Sequence, residues 1–158
     1  MNTKNTYHLF EGIITTEKPV QDRSVNIMMF RDPQNSEYNI IINRTTLEEE
    51  QTLEDFCEMQ IEKLRNDLPG FQVDGKRLKH QIGPEKLPVI QVANRFLQNG
   101  KMVKQVQSVV QLPSPVINNN SLDVIIFTLH TESDFTDYQR KHYVRLINSF
   151  RSTLFINK

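Results

Sequence analysis

Apolar residues along this chain repeat with a period of two in most segments and with a helical period in two. Apolar patterning and flanking turn residues predict strands near residues 7–14, 24–31 and 37–44, the second and third joined by the turn-rich Arg31-Asp32-Pro33-Gln34-Asn35-Ser36-Glu37. The period then changes. Leu53, Phe56, Cys57, Ile61, Leu64 and Leu68 recur at helical spacing, with Thr52 placed to cap the helix, Asp55 three residues later, and Pro69-Gly70 ending it. The preceding run Glu48-Glu49-Glu50 reads as a solvated approach to the positive end of that helix. Four more strands follow near 71–81, 88–97, 101–112 and 122–131. The third and fourth helix-free segments of this set are separated by the loop PSPVINNNS, and Asn99-Gly100 joins 88–97 to 101–112 as a type I′ hairpin. A last helix is predicted from Ser133 or Asp134 to Ser149 or beyond. Its stripe is Phe135, Tyr138, His142, Leu146, Phe150 and Leu154, and Arg140, Lys141, Arg145 and Arg151 form a solvated basic face.

One strand breaks the alternation. In Ser24-Val25-Asn26-Ile27-Met28-Met29-Phe30, one face carries Val25, Ile27 and Met29 and the other Asn26, Met28 and Phe30, so both faces are largely apolar. A central strand between two helical layers has this pattern, and so does a strand whose second face binds a partner. Two helices are few for about seven strands, which favours an uncovered face. Asn26, Asn39 and Asn43 argue the same way, because a buried amide without a partner is costly.

Composition narrows the possibilities. A chain of 158 residues suits one domain spanning residues 1–158, with one core. Lysine and arginine number 19 and aspartate and glutamate 19, so net charge recommends neither nucleic acid nor an anionic membrane as partner. Cys57 is the single cysteine, which rules out a disulfide within the chain. The opening residues lack a signal-peptide pattern, and no apolar run approaches the roughly 18 residues of a membrane span. A cytoplasmic location without membrane insertion is the resulting expectation.

Catalytic signals are sparse. His8, His80, His130 and His142 stand far apart, the five glycines form no phosphate cradle, and no nucleophile elbow occurs. Cys57 lies on an apolar helical stripe, where a thiol behaves as a small hydrophobe. Asp22 and Arg23 read as a turn-level ion pair. The expectation is a protein that is not an enzyme and holds neither metal nor cofactor.

Several short motifs carry a family likeness. Tyr7, Glu11 and Gly12 form Y-x-x-x-E-G, followed by Pro19 and by Asp22-Arg23-Ser24-Val25-Asn26-Ile27. A strand ends in Arg44, the amphipathic helix closes on Leu68-Pro69-Gly70-Phe71, Gln105 and Gln107 form Q-x-Q, and the last helix ends Ser149-Phe150-Arg151. In order and spacing over nearly the whole chain, these resemble the Eag family, the effector-associated chaperones of bacterial type VI secretion, which share a DcrB/PsbP-like fold. Two departures stand out: Lys104 occupies a place where the likeness leads to a histidine, and the loop SPVINNN is long.

The resemblance implies an α+β fold, a twisted and mainly antiparallel sheet with helices 52–68 and 133–150 packed on one face and the other face concave and free. It further implies a cytoplasmic homodimer that shields the N-terminal transmembrane helices of a PAAR-containing effector and helps load it onto the secretion spike. The helix-binding residues expected on that face are Asn26, Met28, Phe30, Asn39, Ile41, Asn43, Gln105 and Gln107. Their amides would meet small polar residues of membrane helices, and flexible methionines would adapt to different partners. The competing reading is a PsbP- or DcrB-like carrier of a lipophilic ligand, or a small pocket enzyme using the same concavity.

Overall fold

The computed structural model describes residues 5–116 and 120–156. The centre of the loop PSPVINNNS, residues 117–119, lies outside them. The first predicted strand is two: β1 (Asn5–His8) and β2 (Ile13–Thr16) form a separate antiparallel hairpin, closed by the Leu9 amide donating to the Gly12 carbonyl at 2.7 Å. The remaining strands, β3 (Asn26–Arg31), β4 (Glu37–Thr46), β5 (Gln72–Ile82), β6 (Leu87–Gln98), β7 (Lys101–Pro113) and β8 (Asn120–Thr131), make one sheet in the order β3-β4-β8-β7-β6-β5. Every neighbouring pair is antiparallel. The Asn99-Gly100 turn joins β6 to β7, with φ of 52° and 78°, the left-handed pair a type I′ turn requires.

Helix α1 (Leu53–Asp67) begins as its sequence predicts. The Thr52 side chain accepts from the Asp55 amide at 3.1 Å, and the Asp55 carboxylate accepts from the Thr52 amide at 3.1 Å, so two otherwise orphan donors are satisfied together. Helix α2 (Asp137–Asn148) starts later than expected, because Thr136 rather than Ser133 or Asp134 is its cap, paired reciprocally with Gln139. Its inner stripe is accordingly Gln139, Tyr143 and Ile147, whereas Tyr138 is largely exposed. A last turn, α3 (Thr153–Ile156), is held by Glu85, which accepts from the Ser152 amide and hydroxyl at 2.7 and 2.6 Å. Gly83 lies under this segment. A Cβ there would sit 2.7 Å from the Phe150 carbonyl oxygen, and with φ of +71° the position excludes other residues.

The α+β class and the antiparallel sheet agree with expectation, but the two helices do not share a face. Side chains alternate along β6: Ile90, Val92 and Phe96 pack with Phe56, Cys57 and Ile61 of α1, while Leu87 and Val89 pack with Tyr143 and Ile147 of α2. Each face of the sheet therefore carries one helix. The α2 layer extends over β3, β4 and β8, where Met28, Phe30, Tyr38, Ile40, Phe127 and Leu129 join its cluster. The α1 layer lies at the opposite end, tied to edge strand β5 by the ion pairs Glu54 to Lys79 and Glu58 to Arg77. Apart from Val124 and Ile126 at one end of β8, the β3-β4-β8 part of the α1 face has no helix over it.

Candidate functional site

The geometry of the uncovered area follows from the turn between β3 and β4. Five residues, Asp32 to Ser36, close it, with the Asp32 amide donating to Ser36 O at 3.0 Å and the Asp32 carboxylate accepting from the Gln34 and Ser36 amides. Asn35 takes the left-handed φ of 65° that the turn needs. An odd loop pairs odd positions with odd: Met29 faces Asn39 and Ile27 faces Ile41. Rows then run across the sheet as Met29-Asn39-His130-Gln105-Asn94 and Ile27-Ile41-Thr128-Gln107-Val92. A third row, Asn43-Ile126-Val109-Ile90, runs beside them and passes beneath α1.

Of the eight residues expected from sequence, the sheet brings five to this face: Asn39, Ile41, Asn43, Gln105 and Gln107. Asn26, Met28 and Phe30 are on the other side. Met28 and Phe30 pack against the α2 cluster, and the Phe30 ring meets His142 edge-on at 4.6 Å between centroids. Placing Asn26, Met28 and Phe30 beside Asn39, Ile41 and Asn43 would require an even-numbered loop, and five residues rule that register out. The residues missed were Val25, Ile27 and Met29, exposed at 52%, 68% and 55%, together with Thr128, His130 and Asn94. Counting outward from the centre of the turn at Gln34 would have found the first three.

Polarity is distributed unusually here. Asn94 and Thr128 are buried, yet Oδ1 of Asn94 and Oγ1 of Thr128 have no hydrogen-bond partner among the described residues, and neither has Nδ1 of His130. These three atoms all belong to the rows of this one face. Asn94 Nδ2 makes only a long 3.4 Å bond, to Gln107 Oε1. An unpartnered buried polar atom costs about 1–3 kcal/mol, so this face holds polarity that its own packing does not satisfy. Burial also lowers the His130 pKa below the ordinary histidine value, with Glu132 opposing that shift. Beside α1 the surface dips into a hollow of about 450 Å³ lined by Val25, Asn43, Gln60, Gln107 and Ile126.

A second depression, about 680 Å³, lies at the sheet end beneath the N-terminal hairpin and is lined by Tyr7, Val20, Asp22, Arg44 and Asp123 among others. Several of its polar groups already bond one another or their neighbours. Tyr7 donates to Asp22 at 2.7 Å, the Ser24 hydroxyl and amide donate to the same carboxylate at 2.5 and 2.9 Å, and Arg44 donates to Ser24 O at 3.0 Å. Those hydrogen bonds lower the Asp22 pKa, and they replace the expected Asp22–Arg23 ion pair, since Arg23 bonds Gln21 instead. Among the described residues no group of three or more His, Cys, Asp or Glu could hold a metal ion, and no helix is long and apolar enough to cross a membrane. Cys57 is buried under α1, which pushes its thiol up to about 11.

The backbone as a whole has a counterpart among solved structures. A Pseudomonas aeruginosa protein of unknown function, PA94, superposes with a TM-score of 0.69 over 96% of this chain and 98% of its own, at 19% identity. LpqN of Mycobacterium tuberculosis, described as involved in cell envelope biogenesis, matches with a TM-score of 0.48 over 82% of this chain and 83% of its own, at 15% identity. No curated protein sequence matches the chain. The sequence profile of the DcrB family matches residues 11–149, and the chain belongs to that family.

Proposed function

We propose that the uncovered part of the α1 face is a recognition surface for an apolar helix, and that the protein is an adaptor chaperone of the Eag kind. The observation that carries this reading is the coincidence of three exposed apolar side chains with polar groups of the same rows, two of which, Thr128 Oγ1 and His130 Nδ1, have no partner among the described residues. Full burial of Val25, Ile27 and Met29 would contribute about 1.5–3 kcal/mol for each side chain. Amides and hydroxyls between them would receive the small polar residues by which membrane helices pack. Binding of this kind requires no chemistry, and His130 is the one titratable side chain in the three rows.

Size supports a dimer. From Asn39 to Asn43 the face runs about 13 Å at 3.3 Å per residue, and from β3 to β7 it is about 14 Å wide. That length shelters about nine residues of helix at 1.5 Å per residue, roughly half of a membrane span. Two copies would shelter a whole span. In this reading the partner is the N-terminal hydrophobic segment of a PAAR-containing type VI effector, kept from aggregation and premature insertion in the cytoplasm until it is loaded.

Co-expression with such an effector fragment tests the proposal. The fragment should remain in the soluble fraction and co-purify with wild-type protein, and Ile41→Gln should reduce its recovery while leaving the chaperone folded. Recovery of soluble fragment that is unchanged by Ile41→Gln and by Ile27→Gln would contradict it.

A further inference from the structure

His130 occupies the middle of the row Met29-Asn39-His130-Gln105-Asn94, with neutral amides directly opposite it on both neighbouring strands. Its Nδ1 has no partner among the described residues. Charged groups around it are offset and mostly paired. Glu132, two residues further along, is paired with Lys101 at 3.5 Å, Glu37 and Arg31, one row over on the same face, are paired with each other at 3.9 Å, and Arg23 lies at the far hollow beside Asn43. The flank of α1 turned away from β5 carries Lys63 and Asp67, of opposite sign, by helical spacing from Gln60. Strands β3, β4, β6 and β7 place no charged side chain in the rows Met29-Asn39-His130-Gln105-Asn94 and Ile27-Ile41-Thr128-Gln107-Val92. While the face is bare, the half-buried ring keeps partial contact with water although its Nδ1 is buried, so an imidazolium there is already disfavoured but still hydrated in part. An apolar helix laid across the face removes that water and offers no counter-charge, and a desolvated unpaired charge is strongly unfavourable.

Resting on the proposed role of this face, we infer that His130 makes its occupation proton-sensitive: an apolar helix is held when the imidazole is neutral and released when it is protonated. The sign follows from linkage. The occupied state binds the His130 proton less tightly than the bare state, so affinity is full above the bare-state titration and falls about tenfold per pH unit below it, until the occupied state also protonates. Because burial already depresses this histidine from its ordinary 6.5, release falls on the mildly acidic side of neutrality.

The probe is a fluorescent peptide of about 20 residues of leucine, alanine and serine flanked by lysines, with no group titrating between about pH 5 and pH 8. Its affinity for the full chain is measured across that range, with folding followed by circular dichroism at each pH. Wild type should bind well near pH 8 and lose at least tenfold by about pH 5, His130→Gln should change by less than about threefold, and His8→Gln on the distant hairpin should keep the wild-type slope. Imidazole NMR of wild type should show His130 titrating at lower pH with peptide than without. A wild-type slope retained in His130→Gln, or an imidazole titration unmoved by peptide, overturns the inference. Equal binding at both ends of the range overturns the inference alone, whereas absence of binding by folded protein near pH 8 overturns the recognition face and this inference with it.

Discussion

Two halves of one sheet face, built from strands of the same sheet in continuous register, have opposite character. Under α1 the three rows end in Asn94, Val92 and Ile90, flanked by Phe96, Val103 and Val109, all buried. Toward β3 the same rows present Met29, Asn39 and His130, or Ile27, Ile41 and Thr128, with no helix above. Width accounts for the difference. Six strands at about 4.8 Å spacing span about 24 Å, and one helix about 10 Å across covers less than half of that. With α2 spent on the opposite face, the β3-β4-β8 end must be tolerated by water or covered by something else. Amides make it tolerable, and the exposed Val25, Ile27 and Met29 make it adhesive.

The contrast can be broken from either side by substitution. The largest effect belongs to the covered half: Phe56→Ala should cost about 3–5 kcal/mol in urea denaturation, since the ring is buried between α1 and the sheet. On the α2 side, Tyr143→Phe should cost about 1–3 kcal/mol. It removes the hydroxyl that donates to Phe127 O at 2.9 Å and meets Ser108 Oγ at 2.5 Å, in a site whose burial pushes the phenol pKa up strongly. Thr52→Ala should cost about 1 kcal/mol through loss of the α1 cap. Ile27→Gln, on the bare half, should fall within about 0.5 kcal/mol of wild type, because that side chain is 68% exposed. A cost comparable to Phe56→Ala would mean that the bare half is core.

Acid sharpens the same comparison. Burial lowers the pKa of His130 on the α1 face and of His142 on the α2 helix, the latter helped by Arg145. A histidine depressed in the folded state binds fewer protons than in the unfolded chain, so its stabilisation is complete above the ordinary imidazole range and is lost as pH falls through it. Urea midpoints should therefore decrease from pH 7.5 toward pH 5, and His142→Gln should flatten part of that slope. Cys57, held near 11 by burial, should resist alkylation at pH 8 until the protein unfolds, as mass spectrometry would show.

Much of the fold was legible because it is written in local chemistry. Thr52 with Asp55 fixes the start of α1, and Asn99-Gly100 fixes the β6-β7 hairpin and through it the register of Gln105 and Gln107. The helix faces were not legible, because strands β6 and β8 are apolar on both sides and periodicity cannot say which side receives which helix. One side of the doubly apolar strand 24–30 is exposed, but it is the side of Val25, Ile27 and Met29, not the expected side of Asn26, Met28 and Phe30. Asn26 looked like the marker of the open face, whereas loop parity sends Val25, Ile27 and Met29 there. His130 and Thr128 were invisible as site residues, since their meaning comes from Asn39, Gln105 and Gln107 on neighbouring strands.

Alternation within β3 and β4 supplies the most direct test of the recognition face. In a sample with methyl-labelled isoleucine and methionine, Ile27, Met29 and Ile41 report on the bare half, while Met28, Ile40 and Ile42, their chain neighbours, report on the α2 core. Titration with the effector's N-terminal fragment, or with the lysine-flanked peptide near pH 8, should shift the first three methyl groups and leave the second three nearly in place. Shifts confined to Met28, Ile40 and Ile42, or equal in both sets, would contradict the account.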